Sequence, residues 1–248
     1  MGDGCAYTLN MFKQEIARGR SSETRASILG GAIGLFRERG FDATTMRDVA
    51  DAAEVAIGAA YYYFPGKEAI VQAYYDDVQR QHAVRVASAL GEGRHDFEER
   101  LRIAFHAKFE ILAQDRKILG ALFRYTADPG HPLSAFGPAT RATREASIQV
   151  FAVAVGKEKL PEDIAEVLPT ALWALHMCVL LYFIYDDSIG QTRTHKLIDG
   201  VIRMIARALS LARLPIMKPL RGSLVSLMRE AGLYPKSNFR SASTHEEV

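Results

Sequence analysis

Apolar residues recur every three to four positions along most of this chain, while the strict alternation typical of strands is nearly absent. The pattern predicts nine helices, with boundaries good to a few residues. They are Ser22–Arg39, Thr45–Ala53, Ala56–Phe64, Lys67–Leu90, Asp96–Gln114, Asp115–Tyr125, Pro132–Val155, Pro161–Tyr185 and Gln191–Leu214. A further short helix is expected at Ser223–Ala231. The predicted fold class is therefore all-α.

Breaks in the pattern divide the chain into four parts. Gly40 ends the first helix, Pro65-Gly66 ends the third, and the stretch "GEGRHD" separates the fourth from the fifth. We expect a flexible N-terminal arm (1–20), a small three-helix domain (21–67), a larger helical domain (68–214) and a partly disordered C-terminal extension (215–248). The basic residues ahead of the first helix could reach a minor groove or belong to a solvated leader.

The small domain has the proportions of a helix-turn-helix. Thr45 can cap the second helix while Asp48 reaches back to it, which is a capping box with Asp in place of Glu. A three-residue step, Ala53–Val55, then leads to the third helix. From spacing alone, this unit could bind DNA or could be an ordinary helical corner.

Composition narrows the class of protein without deciding its partner. The 248 residues are 48% hydrophobic and 24% charged, as in globular proteins, and the net charge is only +2. Cys5 and Cys178 are far apart and form no CxxC motif, so reduced thiols are expected. The longest apolar run, Ala171–Tyr185, is shorter than the roughly 18 residues of a membrane span, so it predicts a buried helix. We therefore expect a cytoplasmic protein with no membrane partner.

About fifty residues carry a resemblance to a known family. The string "ILGGAIGLFRERGFDATTMRDVADAAEVAIGAAYYYFPGKEAIVQAYY" resembles the N-terminal domain of TetR-family transcriptional regulators in the order of its landmarks. These are Leu35-Phe36, Gly40-Phe41, Thr44-Thr45, Val49-Ala50, Tyr61-x-Tyr63-Phe64 and Lys67-Glu68. The rest of the chain matches only in architecture. The resemblance implies a homodimer that binds double-stranded operator DNA and is released, as a repressor, by a small effector.

The same resemblance implies roles for the residues of the small domain. Thr45 would cap its helix and donate to a phosphate, and Arg47 would reach a base edge. Each of Tyr61, Tyr62 and Tyr63 would either donate to a phosphate or pack as a ring at the edge of the core, and the phosphate role is preferred for Tyr61 and Tyr63. Lys67 would face a phosphate. The small residues ahead of the rings, Gly58, Ala59 and Ala60, would let the helix approach the major groove and touch thymine methyl groups.

Three positions depart from the family pattern. Glu54 replaces the usual turn glycine, Ala56 replaces the usual capping Ser or Thr, and Ala59 stands where a hydroxyl residue is frequent. The net charge of the small domain does not indicate DNA binding, because the six basic and six acidic residues from Arg20 to Lys67 cancel.

The larger domain offers candidates for an effector site and a dimer interface. His176 lies on an otherwise apolar helix, where it is either a ligand-binding group or a satisfied core residue. Aromatic and apolar side chains could line a pocket with it or form ordinary core. They are Phe105, Phe109, Phe123, Tyr125, Phe151, Trp173, Met177, Leu180 and Tyr182. A mostly apolar effector is expected. The helices Pro161–Tyr185 and Gln191–Leu214 are the dimer candidates, unless they bury entirely within one subunit.

Other classes of protein find little support in the motifs. The sequence holds no HExxH, GxSxG, phosphate-binding GxxxxGK[ST] or GxGxxG motif, and its only ExxH is Glu92–His95 in a Gly-containing linker. We therefore expect no enzyme activity, no cofactor and no metal. The alternative function is a helical ligand- or partner-binding protein whose DNA-binding unit has decayed. An all-α enzyme stays open only because catalytic residues can assemble from distant positions.

Overall fold

The computed structural model describes the backbone of residues 3–156 and 158–230, with side chains from Arg20 onwards. Within these ranges the chain forms ten α-helices and no strand, which confirms the all-α class. The helices are α1 (Asp3–Glu38), α2 (Met46–Ala52), α3 (Ile57–Tyr63), α4 (Lys67–Gly91), α5 (Phe97–Leu112), α6 (Arg116–Ala127), α7 (Arg141–Val155), α8 (Glu162–Tyr185), α9 (Thr192–Ala212) and α10 (Lys218–Glu230).

Three helix starts differ from the sequence prediction. Helix α1 begins at Asp3, within the segment expected to be a flexible arm. Helix α7 begins at Arg141 and not at Pro132, because Pro138 has no N–H to donate within a helix and residues 128–140 fold into successive turns instead. Helix α10 begins at Lys218, since Pro219 is tolerated in a first turn. Ala231 and the predicted polar tail lie outside the described residues.

The helices assemble into two compact units that interleave along the chain. The first holds the chain up to Arg80 together with Leu112–Arg144, and the second holds Gln81–Ile111 together with the chain from Glu145. This division differs from the sequential one expected from the breaks in the pattern. Residues 112–144, which include α6, belong with the three N-terminal helices.

A buried carboxylate ties the first unit together. Asp115, at the start of α6, accepts hydrogen bonds from Arg37 Nε on α1 and from the Tyr74 hydroxyl on α4, both at 2.7 Å. Burial and the neighbouring carboxylate raise the pKa of Tyr74, so its phenol stays protonated and donates. These contacts fix α1, which carries the buried stripe Ile28, Ala32 and Phe36, against α4 and α6.

The second unit has an aromatic core and a polar clamp at the end of α7. Phe109 packs against Phe183 with ring centroids 5.2 Å apart, and Phe105 against Phe151 at 5.0 Å. Arg100 donates to the last carbonyls of α7, those of Ala154 (2.9 Å) and Val155 (3.2 Å). A cation suits this position because the C-terminal carbonyls of a helix carry partial negative charge.

Helix α8 is the most apolar element of the chain. By length and composition alone it could cross a membrane, and 39% of its most apolar window is buried. Its buried residues, such as Leu172, Trp173, Val179 and Phe183, face the interior of the second unit. The expectation that this helix is buried on most sides is therefore only partly met within one chain, because Leu181, Tyr182 and Tyr185 are exposed.

Candidate nucleic-acid interface and ligand site

The start of α2 is built as the sequence predicts. The Thr45 hydroxyl accepts from the backbone N–H of Asp48 (3.2 Å), and the Asp48 carboxylate accepts from the Thr45 backbone N–H (2.7 Å), so both halves of the capping box are present. The Thr45 hydroxyl also donates to Asp48 at 2.6 Å, which holds the pKa of that carboxyl below its usual range. A donation from Thr45 to a phosphate would have to replace this bond.

The turn between α2 and α3 is strained at Glu54. Its φ of +55° lies in the left-handed region, which L-residues other than Gly rarely adopt. The backbone N–H groups of Glu54 and Val55 donate to the carbonyls of Asp51 (3.1 Å) and Ala50 (3.0 Å), so the turn is well bonded in this conformation. The side chain of Glu54 is exposed, and the strain therefore comes from its Cβ alone.

We expect Glu54→Gly to raise the free energy of unfolding by about 1 kcal/mol. Removing Cβ relieves the free-energy cost of the left-handed backbone conformation, which is roughly 1–2 kcal/mol. Part of this gain is offset because Gly has greater conformational freedom in the unfolded chain. Urea unfolding followed by circular dichroism measures the change. Glu54→Ala, which keeps Cβ, is the control and should give no such gain; an equal gain in both variants would contradict the strain at this position.

Helix α3 begins without a side-chain cap. Ala56 has the extended backbone of an N-cap residue (φ −63°, ψ 143°) but no side-chain oxygen to accept from the first turn. The missing cap predicted from the sequence is thus confirmed as a structural feature.

We expect Ala56→Ser to stabilise the protein by about 1 kcal/mol, because a hydroxyl at the N-cap satisfies one free N–H of α3. The same unfolding measurement applies. Ala59→Ser, which places a hydroxyl inside the helix, is the matched control and should be neutral or slightly destabilising. If Ala59→Ser raised the free energy of unfolding and Ala56→Ser did not, the N-cap of α3 would be shown to be unimportant for stability.

The faces of α3 separate cleanly into inner and outer residues. Ala60 is 0% exposed and Phe64 is buried four residues later, with the Arg25 guanidinium 4.8 Å from the Phe64 ring centroid. The expected contact between Ala60 and a thymine methyl is therefore wrong, because this methyl packs in the core of the unit. Tyr61 and Tyr62 are exposed, the latter by 82%.

Sequence reasoning missed one outward residue of α3. Ile57 is exposed and lies one turn before Tyr61, so it shares that residue's face. The i, i+4 spacing from Tyr61 was the available signal. Gly58, one turn before Tyr62, has nothing within 4 Å of where a Cβ would stand, and Ala59 is half-buried.

Tyr63 points towards α1. It is half-buried, its hydroxyl donates to the Ser21 side chain at 3.2 Å, and its ring meets Tyr62 edge-on at 5.2 Å. These contacts give Tyr63 a role in joining α3 to α1. The phosphate contact predicted for it would have to compete with the bond to Ser21.

Lys67 holds the turn that follows α1. Its ammonium donates to the carbonyls of Phe41 (2.6 Å) and Asp42 (3.4 Å) and lies 4.5 Å from the Phe41 ring centroid. The Asp42 carboxylate is bound in turn by Tyr125 (2.6 Å) and by Arg124. Tyr125, a pocket candidate from the sequence, is thus a structural residue of the first unit. Arg47, by contrast, is exposed at the surface.

The second unit brings most of the predicted effector residues together. Phe105, Phe109, Trp173 and His176 are all buried, and the His176 ring lies 6.3 Å from that of Phe105 and 5.6 Å from that of Phe109. Phe151 completes the set at 5.8 Å. Of the remaining candidates, Met177 and Leu180 are half-buried on the same helix and Tyr182 is exposed, whereas Phe123 belongs to the first unit.

Two buried groups next to this cluster were not predicted. His82 on α4 donates through Nε2 to the Ala104 carbonyl at 2.7 Å, and Lys108 on α5 is buried. Burial lowers the pKa of Lys108 to about 7 and that of His82 to about 4. Burial also holds the pKa of His176 well below its ordinary value, with the charge of Lys108 acting in the same direction.

The first unit holds a helix-turn-helix, and the second holds long helices around an aromatic core that contains buried polar side chains. This combination is typical of DNA-binding regulators with a ligand domain. Comparison with known proteins gives the same class. Residues 28–74 match the family model described as "Bacterial regulatory proteins, tetR family", and residues 100–223 match "Tetracyclin repressor-like, C-terminal domain". The chain belongs to the TetR family.

Curated relatives match only part of the chain. The chain is 37% identical over 115 residues to the HTH-type transcriptional repressor KstR2 of Rhodococcus jostii, an alignment that covers 42% of this chain and 56% of that protein. It is 40% identical over 62 residues to the HTH-type transcriptional regulator TtgR of Pseudomonas putida, covering 25% of this chain and 30% of that one. The alignments thus span little more than half of these relatives at most.

A solved structure supports the fold over a longer range. The TetR transcriptional regulator from Nitrosomonas europaea superposes with a TM-score of 0.60 at 19% identity, covering 73% of this chain and 97% of that one. At this identity the likeness concerns the fold alone.

Proposed function

We propose that this protein is a ligand-responsive transcriptional repressor that binds a palindromic operator as a homodimer. The observation that carries the proposal is the outer face of α3. Ala60 and Phe64 anchor the helix inward, so Ile57, Tyr61 and Tyr62 stay exposed on its outer face, where they can enter a major groove. Its relatives KstR2 and TtgR are a repressor and a regulator of the same helix-turn-helix type.

The contacts with DNA divide between base recognition and phosphate binding. Arg47, exposed on α2, has the guanidinium geometry that takes guanine O6 and N7 together. Tyr61 and Tyr62 donate their hydroxyls to phosphates, which set register and not sequence. Thr45 and Lys67 contribute chiefly by shaping α2 and the turn after α1, with their phosphate contacts secondary to the bonds they already make.

The homodimer is supported by an apolar surface on α8 and α9. Leu181, Tyr182 and Tyr185 are exposed at i, i+1 and i+4 on α8, and Met204 and Leu211 are exposed seven residues apart on α9. Spacings near three, four and seven residues place such side chains on one stripe per helix, as in four-helix bundles. A second copy of the chain would cover both stripes by isologous pairing.

The effector binds in the second unit, where Phe105, Phe109 and Phe151 surround His176 and Trp173 is buried three residues before it on α8. Binding there shifts the equilibrium towards a dimer whose two α3 helices no longer match successive major grooves, and operator affinity falls. The protein acts in the cytoplasm, as members of this family do.

Salt-dependent fluorescence anisotropy on DNA from upstream of the protein's own gene tests the proposal. We expect binding at least tenfold tighter than to a shuffled duplex, weakening steadily as salt rises. The alternative, a ligand-binding protein with a decayed DNA-binding unit, predicts equal and weak binding to both duplexes, and this result would overturn the regulator assignment.

A further inference from the structure

Two histidines join α5 to α9 in the second unit. His106 on α5 and His195 on α9 are both half-buried, and their Nδ1 atoms lie 2.7 Å apart. The other ring nitrogen of His106, Nε2, lies 3.0 Å from a carboxylate oxygen of Asp199. Arg102, one turn before His106 on α5, approaches the same oxygen with its Nε at 3.4 Å. These four side chains form one polar cluster that links the two helices.

The two imidazole rings of this cluster meet edge to edge. Their centroids are 4.9 Å apart, much farther than their Nδ1 atoms, and their planes differ by only 22°. The nitrogens therefore lie between the ring centres and nearly in the plane of both rings. This is the geometry of an N–H···N hydrogen bond, in which one imidazole donates and the other accepts. Such a bond needs one proton between the two nitrogens and has no room for a second.

Asp199 determines which protons His106 carries. Burial opposes the charge of this carboxylate, but the hydrogen bond from His106 and the charge of Arg102 together hold the pKa of Asp199 below its usual value. The carboxylate is therefore ionised and only accepts, so the Nε2 of His106 carries a proton and donates it. When His106 is neutral, its bare Nδ1 accepts from the Nδ1–H of His195. One added proton is tolerated, because it binds the Nδ1 of His106 and the direction of donation reverses.

A second added proton breaks the bond between the two rings. Both Nδ1 atoms then carry hydrogen and face each other at 2.7 Å, and two like charges lie on adjoining rings. Partial burial and the charge of His106 lower the pKa of His195 in the folded protein, against the opposing effect of nearby carboxylates. The folded pair thus resists the second proton.

The carboxylates that act on His195 already have other partners. They are Glu110 on α5, Asp199 on α9 and Asp186 after the end of α8. Their bonds are those of Arg85 to Glu110 at 3.2 Å, of Arg102 to Asp199 at 3.4 Å, and of Ser188 and Thr194 to Asp186 at 2.6 and 2.7 Å. Since this negative charge is shared with cations and hydroxyls, it compensates two charged imidazoles only in part.

We propose that the histidine pair, His106 and His195, is a pH-sensitive link between α5 and α9, intact with no added proton or one and opened by the second. The link joins two functional parts of the second unit. Helix α5 carries Phe105 and Phe109 of the proposed effector site, and α9 carries Met204 of the proposed dimer surface. Mild acid then weakens the dimer and releases DNA without an effector. This regulatory consequence rests on the proposed function, whereas the link itself does not.

The sign of the pH dependence follows from where the protons bind. In the unfolded chain a histidine titrates at about pH 6.5, whereas the folded pair takes up its second proton only at lower pH. Below about pH 6.5 the unfolded chain therefore binds more protons than the folded one, and the stability contributed by the pair falls as the pH drops. Above about pH 7 this contribution is fully present.

His195→Gln separates the hydrogen bond from its titration. A glutamine amide can donate to or accept from the Nδ1 of His106, and it carries no titratable proton. Between pH 7.5 and pH 5.0, we expect the unfolding equilibrium constant of the wild-type chain to rise roughly threefold or more beyond the rise in His195→Gln, as measured by urea unfolding. His95→Gln, at another half-buried histidine of the second unit, is the control and should keep the wild-type pH dependence.

Nuclear magnetic resonance on the unmodified full chain tests the bond itself. With nitrogen-15-labelled histidine, a scalar coupling between the two Nδ1 atoms should be present at pH 7.5 and absent at pH 5.0. The inference is overturned if this coupling is missing at pH 7.5 or persists at pH 5.0. It is equally overturned if His195→Gln keeps the wild-type pH dependence, or if His95→Gln loses as much of it as His195→Gln.

The operator assay separates this inference from the proposed function. Between pH 7.5 and pH 5.5, operator affinity should fall roughly threefold more in the wild-type protein than in His195→Gln. If operator DNA is bound at no pH, the regulator function fails, while the unfolding and resonance measurements still decide the inference. Operator binding with the same pH dependence in both proteins would leave the regulator function standing and overturn the regulatory role of the link.

Discussion

Replacing Leu181 by glutamate should convert the proposed homodimer into monomers. Leu181 is partly exposed on the outer stripe of α8, so a single chain can solvate a glutamate there, whereas a dimer interface would have to bury two like charges. Operator affinity should fall by roughly 10²–10⁴-fold, because two linked half-site contacts become independent ones. Sedimentation velocity measures the assembly state, and fluorescence anisotropy measures the affinity.

Two further variants test whether the effect belongs to the proposed interface. Met204→Glu, at a residue 70% exposed on α9, should have the same outcome as Leu181→Glu. Val84→Glu introduces the same charge at an exposed apolar residue of α4, outside the stripes, and should leave the dimer intact. If both Leu181→Glu and Met204→Glu remained dimeric, the dimer interface would have to lie outside the exposed stripes of α8 and α9.

Arg47→Ala should remove most of the preference for the operator over unrelated DNA. A bidentate contact between arginine and guanine contributes about 1–3 kcal/mol of discrimination, so each half-site loses roughly five- to 150-fold in selectivity. Binding to shuffled DNA should change little. Competition anisotropy with operator and shuffled duplexes measures both quantities.

The control for Arg47 is Arg39→Ala, which removes another exposed arginine of the first unit and should lower affinity for all sequences only slightly. Tyr62→Phe, which removes one phosphate donor, should weaken binding to operator and shuffled DNA alike. Unchanged selectivity in Arg47→Ala would move base recognition to another residue, with Ile57 the next candidate on the outer face of α3.

The sequence predicts local features of this fold well because they depend on neighbouring residues. The capping box of Thr45 and Asp48, the uncapped Ala56 and the left-handed turn at Glu54 all involve groups within a few positions of each other. The start of α7 was missed although its cause is local, since Pro138 stands in the second turn of the predicted helix Pro132–Val155.

Features that join distant segments were not predictable in the same way. Asp115 binds Arg37 and Tyr74 across separations of 78 and 41 residues, and no periodicity marks such partners. The inward orientation of Ala60 depends on which side of α3 meets the rest of the unit. His176 stood out because a histidine interrupts an apolar run, whereas Lys108 lies among ordinary charged residues of an amphipathic helix and gave no such signal.

The open space around Gly58 has a consequence for how this protein can diverge. A side chain added there meets no atom within 4 Å, and its neighbours Ile57 and Tyr62 project outward as well. Substitutions at Gly58 and its outward neighbours therefore need no compensating changes in the interior. Such substitutions could give a duplicated copy of the protein new DNA target sites. For the DNA-binding role proposed for α3, a change of base preference and the stability of the fold are thus separable at Gly58.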